Sequence, residues 1–221
     1  KRMGIKKDLP TIPSLPLGTA EISMWDFANA YTTLASNGYK KDLGVILKVT
    51  DMHGNILYEK KNNSTQVLNS NYTFILNEML TATYNSAFID YNTPTIISLG
   101  SKISRKYAMK TGSSGTDCYM IGYNPDILML VWNGYDDNRQ MNPVDGNISK
   151  NIWVNTVEEY LKDKEARWYD VPENVVGVPL DAITGNQAVN DKKMYVYYYV
   201  KGSEYVNSEM EYEGNKENIT E

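Results

Sequence analysis

Lys110, Thr111, Gly112 and Ser113 place an ammonium, a hydroxyl, a bare backbone position and a second hydroxyl in succession. On an extended chain side chains alternate faces, so Thr111 and Ser113 share one face with no side chain between them at Gly112. That arrangement suits a small anion such as a carboxylate. The hydroxyls donate to it, Lys110 supplies positive potential, and the glycine lets a ligand approach the main chain.

The surrounding elements have to hold this stretch extended. Residues 107–111 read as a strand, 112–117 as a small polar turn, and 118–123 as the next strand. Residues 127–135 read as a third strand, and short connections make the three antiparallel neighbours. A polar loop, 136–148, leads to a helix at 148–162, with Ile152, Trp153, Val157, Tyr160 and Leu161 expected inward. An antiparallel sheet packed with helices is an α+β arrangement.

Upstream, Pro10, Pro13 and Pro16 mark a connector. Ser23 is the expected N-cap of a helix, with Asp26 completing a box-like pattern and Asn37-Gly38 as the stop. Trp25, Ala28, Leu34 and Ala35 fall toward one side of it. Residues 45–50 and 55–60 read as a peripheral hairpin turning at His53-Gly54. Ser70 is the expected cap of a helix over 72–84, with Phe74, Ile75, Leu76, Met79 and Leu80 as its apolar stripe. Residues 85–104 read as irregular. After 162 the character changes to a charged stretch, an apolar run at 175–180, a turn-rich connection at 181–190 and a tyrosine-rich strand at 194–200. The acidic stretch 202–221 is expected to be disordered. The predicted division is 1–163 for the main domain and 164–221 for a β-rich, partly disordered extension.

Composition excludes several function classes. With 42% hydrophobic residues, the 221-residue chain can bury a core. A net charge of -5, from 22 Lys+Arg against 27 Asp+Glu, argues against a nucleic-acid partner, which needs a basic footprint. Cys118 is the sole cysteine and His53 the sole histidine, so neither a disulfide framework nor a clustered metal site is expected, and no cofactor is predicted. Cys118 reads as a packed strand residue and His53 as a turn residue. No apolar run is long enough to span a membrane and no signal peptide is present. Residues 1–10 look like mid-domain sequence, so the expectation is a piece of a longer protein, with any membrane anchor in the missing part.

Lys110-Thr111-Gly112 resembles the third signature of penicillin-binding proteins and serine β-lactamases. The flanks extend the resemblance to bifunctional, class A penicillin-binding proteins. They include Asp117-Cys118-Tyr119-Met120-Ile121-Gly122-Tyr123-Asn124-Pro125-Asp126 and Val131-Trp132-Asn133-Gly134-Tyr135-Asp136-Asp137. Upstream, Leu17-Gly18-Thr19-Ala20-Glu21, Ala28-Asn29-Ala30-Tyr31 and Ala35-Ser36-Asn37-Gly38-Tyr39 fit the same family. The resemblance covers roughly the first two-thirds of the chain. One departure is Ser86-Ala87-Phe88-Ile89, where that family often has small glycine-rich sequence.

The resemblance implies the C-terminal portion of a transpeptidase domain, part of the penicillin-binding protein/serine β-lactamase-like fold. The implied parent is a D,D-transpeptidase that cross-links peptidoglycan by serine acyl transfer, at the extracytoplasmic face of the bacterial cell membrane. A glycosyltransferase domain upstream is implied as well. The implied partners are stem peptides ending in D-Ala-D-Ala, and β-lactams. In this reading Thr111 and Ser113 hold the terminal carboxylate, and the Ser113 N–H supplies half of an oxyanion hole. Lys110 provides positive potential and helps relay protons. Gly112 keeps the strand edge open, and Ser114 completes the substrate-binding set.

Two further family motifs should precede Lys110: a serine followed three residues later by lysine, and a Ser-x-Asn triplet. No serine in the chain has a lysine at that spacing. Ser149-Lys150-Asn151 fits the second pattern but follows Lys110, at an expected helix start, and reads as capping chemistry. The chain alone is therefore expected to be inactive. A carboxypeptidase or β-lactamase of the same fold, and a non-catalytic cell-wall peptide-binding module, are the alternatives.

Overall fold

The computed structural model describes residues 1–188 and 191–204. The acidic tail expected to be disordered lies, from residue 205 on, outside the described residues.

The first helix, α1 (Met24–Ala35), begins where the Asp26 amide donates to Ser23 Oγ at 3.1 Å. Only half of the expected box forms, because the Asp26 carboxylate accepts from the Lys6 amide at 2.9 Å instead. Asn37 and Gly38 then turn the chain with φ of 48° and 101°, and the Gly38 N–H donates to the Thr33 carbonyl. The buried face of α1 differs from the expected apolar side. Trp25 is 47% exposed, while Asn29, Thr32 and Leu34 are buried. Hydrogen bonds make the polar burial tolerable: Asn29 Oδ1 accepts from the Leu43 amide, and the Thr32 hydroxyl donates to the Lys41 carbonyl.

Four short strands follow: β1 (Tyr39–Lys41), β2 (Lys48–Thr50), β3 (Ile56–Glu59) and β4 (Ser64–Gln66). They pair antiparallel as β1–β4 and β2–β3. The β2–β3 hairpin is the expected peripheral one, shorter than predicted and exposed along both strands. Its turn is tied by the Asp51 carboxylate, which accepts from the His53 and Asn55 amides.

The second helix, α2 (Ser70–Met79), is capped by Asn69, whose side chain accepts from the Asn71 amide. The expected cap, Ser70, instead donates its hydroxyl to the Asn37 carbonyl at 2.9 Å. The predicted apolar stripe holds at Phe74 and fails at Leu76 and Met79, which are 38% and 60% exposed. Thr73, Asn77 and Glu78 go inside in their place. Asn77 donates to the Leu34 carbonyl and accepts from Tyr123 Oη at 2.8 Å. Glu78 accepts from Lys106 Nζ at 2.5 Å and from Trp168 Nε1 at 2.6 Å. A helix whose inner face is satisfied this way needs no apolar periodicity.

The central sheet is β5 (Ala108–Ser113), β6 (Asp117–Tyr123) and β7 (Leu128–Gly134), antiparallel in that order, with β5 at an edge. Two helices sandwich it. On one face, α1 brings Leu34 against Ala108 and Tyr123, and the Tyr31 and Tyr123 rings meet edge-on at 5.9 Å. On the other, α3 (Ile148–Leu161) packs Trp153, Val154 and Val157 onto Met109, Met120 and Val131. Trp153 is fully buried, edge-on to Tyr107 at 5.1 Å, and donates to the Met129 carbonyl. Gly122 makes room for it, since a Cβ there would stand 2.4 Å from the indole Cζ2. Ile152 and Tyr160, expected inward, are 45% and 57% exposed, and Val154 takes the inner position.

The last pair, β8 (Val175–Asp181) and β9 (Met194–Val200), forms an antiparallel hairpin on α2. Phe74 and Tyr198 meet edge-on at 5.1 Å, and Tyr195 Oη donates to the Glu78 carbonyl at 2.8 Å.

Candidate functional site

The stretch from Lys110 to Ser113 is extended, as its residue types predict, and it is the second half of edge strand β5. The strand runs two residues further than expected. Gly112 pairs with Tyr119 and Ser113 with Cys118, so the turn narrows to the tip around Ser114–Thr116. The tip is closed by the Ser114 N–H donating to the Asp117 carbonyl at 2.9 Å.

In an antiparallel ladder, alternate residues direct their peptide groups to opposite sides. Tyr107 shows the outward phase: its N–H donates to Tyr84 Oη and its carbonyl accepts from the same hydroxyl. The Met109 carbonyl accepts from Thr83 Oγ1 at 3.3 Å, also from outside the sheet. The same phase carries the Thr111 and Ser113 peptide groups outward. The 3-10 turn Leu80–Tyr84 thus covers the first half of the edge, while the second half faces a cavity of about 450 Å³.

That cavity is lined by Thr111, Ser113, Thr95, Cys118, Met141 and Lys150, among others. Thr111 Oγ1 donates to Thr95 Oγ1 at 3.2 Å. Ser113 is exposed. Lys110 is exposed too, and its Nζ donates to the Thr111 carbonyl at 2.6 Å. By register Thr111 and Ser113 share the α3 face with Met120 and Cys118, while Lys110 lies on the opposite face with Ile121. At Gly112 a Cβ would meet only Tyr119, at 3.7 and 3.8 Å, which is ordinary contact. The protein's own packing therefore does not require glycine there.

Ser114 is drawn into the hairpin tip. Its Oγ accepts from the Thr116 and Asp117 amides and donates to Asp117 Oδ2 at 3.1 Å. Trp132 Nε1 donates to the other carboxylate oxygen at 2.8 Å. Hydrogen bonds from Trp132, Thr116 and Ser114 hold the Asp117 carboxyl below the usual aspartate range. The Met141 amide donates to the Gly115 carbonyl, so the loop before α3 is fastened to the same tip.

Sequence reasoning missed Thr95 and Lys150. Thr95 sits in a loop with no motif around it. Lys150 belongs to the Ser149-Lys150-Asn151 triplet, assigned above to capping. The triplet does open α3, but the Ser149 hydroxyl caps nothing: it is buried without a partner, and the Ser149 amide donates to Asn133 Oδ1. Lys150 Nζ donates to the Thr95 carbonyl at 2.9 Å, on the wall of the cavity. Cys118, expected to be packed, is half-buried and lines the cavity. Among the described residues there is no group of three or more His, Cys, Asp or Glu that could hold a metal, and no helix long and apolar enough to cross a membrane.

Comparison with known proteins gives a consistent result. The chain is 34% identical to penicillin-binding protein 2D of Bacillus subtilis, over 94% of its own length and 30% of the relative's. It is 26% identical to penicillin-binding protein 1A of Neisseria meningitidis, over 80% of its own length and 22% of the relative's. The chain thus spans under a third of the length of these curated relatives. Among solved structures, penicillin-binding protein 1A of Haemophilus influenzae superposes with a TM-score of 0.78 at 20% identity, over 95% of this chain and 36% of that one. The PonA1 protein of Mycobacterium tuberculosis, solved in complex with penicillin V, superposes at 0.60 and 21% identity, over 76% of this chain and 50% of that one. No family model matches the chain. The α+β architecture is therefore part of the penicillin-binding protein/serine β-lactamase-like fold.

Proposed function

We propose that this chain, homologous to penicillin-binding proteins over most of its length, is the carboxylate-binding half of a peptidoglycan D,D-transpeptidase site. The observation that carries the reading is the open half-edge of β5. Two hydroxyls on one face, outward peptide groups and a side-chain-free Gly112 border one cavity.

In this reading a stem peptide ending in D-Ala-D-Ala lies along the edge as an added strand, which main-chain hydrogen bonds hold and side-chain pockets select. Thr111 and Ser113 hydroxyls hold the terminal carboxylate. The outward Ser113 N–H polarises the scissile carbonyl as half of an oxyanion hole, a donor whose loss typically costs about 100- to 1,000-fold in turnover. Lys110 raises the local positive potential and relays protons. Ser114 acts through the hairpin tip, where its hydroxyl fixes the turn that ends the strand.

The acyl transfer needs a serine from outside these 221 residues. Its Oγ attacks the penultimate D-Ala carbonyl, the peptide C–N bond breaks, and the terminal D-Ala leaves as an amine that takes up the proton. An amine from a neighbouring stem then displaces the serine. β-Lactams meet the same groups through their own carboxylate and carbonyl. The proposed location is the extracytoplasmic face of the bacterial membrane, with the anchor in residues outside this chain.

A second reading, a non-catalytic peptide-binding module, is favoured by the absence of a Ser-x-x-Lys in the sequence. A fluorescent penicillin separates the two. The 221-residue chain is expected to remain unlabelled. A longer protein containing the chain and the upstream motifs is expected to label covalently, and Thr111→Val with Ser113→Ala to reduce that labelling at least 10-fold. An unlabelled full-length protein decides for the binding module. Labelling of the short chain itself overturns the proposal.

A further inference from the structure

Thr111 is tied down at both ends. Its carbonyl accepts from Lys110 Nζ at 2.6 Å, which brings the positive charge of the stretch to this residue. Its hydroxyl donates to Thr95 Oγ1 at 3.2 Å. A hydroxyl carries one proton and two lone pairs. The Thr111 O–H therefore faces the protein, and a carboxylate can take it only when that hydrogen bond turns over. The Thr111 oxygen then needs a donor of its own. Thr95 uses its oxygen and not its proton in the present bond, so its O–H is available to donate back.

The fold makes Thr95 a fixed point. The next residue, Ile96, is fully buried in the cluster that holds Leu99, Tyr107 and Met109. The Ile96 amide donates to the Thr83 carbonyl at 2.9 Å, and Thr83 Oγ1 donates to the Met109 carbonyl of β5. From the other side, Lys150 Nζ of α3 donates to the Thr95 carbonyl at 2.9 Å. The loop is thus pinned to the core, the edge strand and the helix, while the Thr95 side chain stays exposed on the wall of the cavity. Its β-branch limits the rotamers that side chain can take. An exposed hydroxyl can be satisfied by water, so folding does not require the contact with Thr111.

We propose that Thr95 is a positioning residue of the carboxylate site. When an anion takes the Thr111 O–H, the Thr95 O–H donates to Thr111 Oγ1 in its place. No covalent bond changes; one hydrogen bond reverses. A hydroxyl that accepts while it donates is polarised, and a bond to a charged acceptor is stronger than one between neutral groups. The reversal therefore favours a ligand that bears a carboxylate. The assignment rests on the reading of the β5 edge as a carboxylate site. It leaves the charge of that site with Lys110 and adds a hydroxyl from outside the sheet.

The test is an amide-resolved NMR titration of the 221-residue chain with N-acetyl-D-alanyl-D-alanine. In the wild type, shifts are expected at Thr111 and Ser113. Thr95→Val keeps the shape and removes the hydroxyl, and it is expected to weaken binding about 5-fold, the worth of one hydrogen bond. Thr95→Ser is expected to return binding to within about 2-fold of the wild type. Because Thr95 acts through Thr111, Thr95→Val should cost nothing further in a Thr111→Val background. Wild-type amide dispersion is the folding control for each variant. An unchanged affinity in Thr95→Val, no recovery in Thr95→Ser, or a full second loss in the double variant overturns the assignment and leaves the site standing. A wild type without ligand-dependent shifts at Thr111 and Ser113, or a Thr111→Val variant that binds as the wild type does, overturns the reading of the site and the assignment together.

Discussion

Gly112 is the residue at which stability and the proposed function can be separated. Its Cβ space is open on the protein side, with Tyr119 at ordinary contact distance. Gly112→Ala is therefore expected to leave the melting temperature unchanged or slightly raised, because it lowers unfolded-state entropy by about 0.4–1 kcal/mol. The same methyl intrudes on a ligand strand, so peptide affinity or penicillin labelling should fall. Equal loss of both, read by thermal melts beside binding, would show that the glycine serves folding. Glu78 is the opposite case. Its side chain is 5% exposed and takes Lys106 and Trp168 together. Glu78→Gln removes the charge from this pair, whose lysine end is 38% exposed, and a loss of about 1–2 kcal/mol in urea unfolding is expected. Asp117 carries the pH dependence of the hairpin tip. Its folded carboxyl is held low by Trp132, Thr116 and Ser114. Its contribution is therefore present above the unfolded aspartate pKa and is lost as pH falls through the lower folded value. Amide exchange at Thr116 and Asp117 should accelerate over that acid range in the wild type and show no such step in Asp117→Asn.

At the scale of elements, what was legible followed local chemistry, and what was not followed tertiary partners. The three strands of the sheet, the Ser23 cap and the Asn37-Gly38 stop depend on residue type and near neighbours, and all are present. The inner face of α2 depends on Leu34, Tyr123, Lys106 and Trp168, all distant in sequence, so an apolar count could not find Asn77 and Glu78 inside. The candidate edge could be proposed from sequence because Lys110 to Ser113 is contiguous. Thr95 and Lys150 could not, because only the fold brings a loop and a helix start to that strand. The contact between β6 and α3 is tight enough to test directly. Gly122→Ala drives a methyl into the Trp153 indole, at 2.4 Å from Cζ2 before relaxation. A loss of about 1–3 kcal/mol is expected from overpacking, with a change in the near-ultraviolet tryptophan signal. An unchanged stability curve would mean that α3 does not sit on the sheet as described.

At the scale of the molecule, we propose that residues 164–221 form an extension to a main unit of 1–163, with the described β8–β9 hairpin docked on α2. Phe74 against Tyr198, the Tyr195 hydroxyl on the Glu78 carbonyl and the Tyr169 hydroxyl on the Ala35 carbonyl support that division. These groups are buried or half-buried, so the extension contributes to the stability of the helix it covers. The proposed peptide capture nevertheless depends on a short length of exposed edge. Its most direct test is residue-resolved amide exchange with and without a saturating acyl-D-alanyl-D-alanine peptide. The account predicts new protection at Thr111 and Ser113, whose peptide groups face outward. It predicts no change at Lys110 and Gly112, whose groups already face β6. Protection that fails to alternate along β5, or that is absent from Thr111 and Ser113, would contradict it.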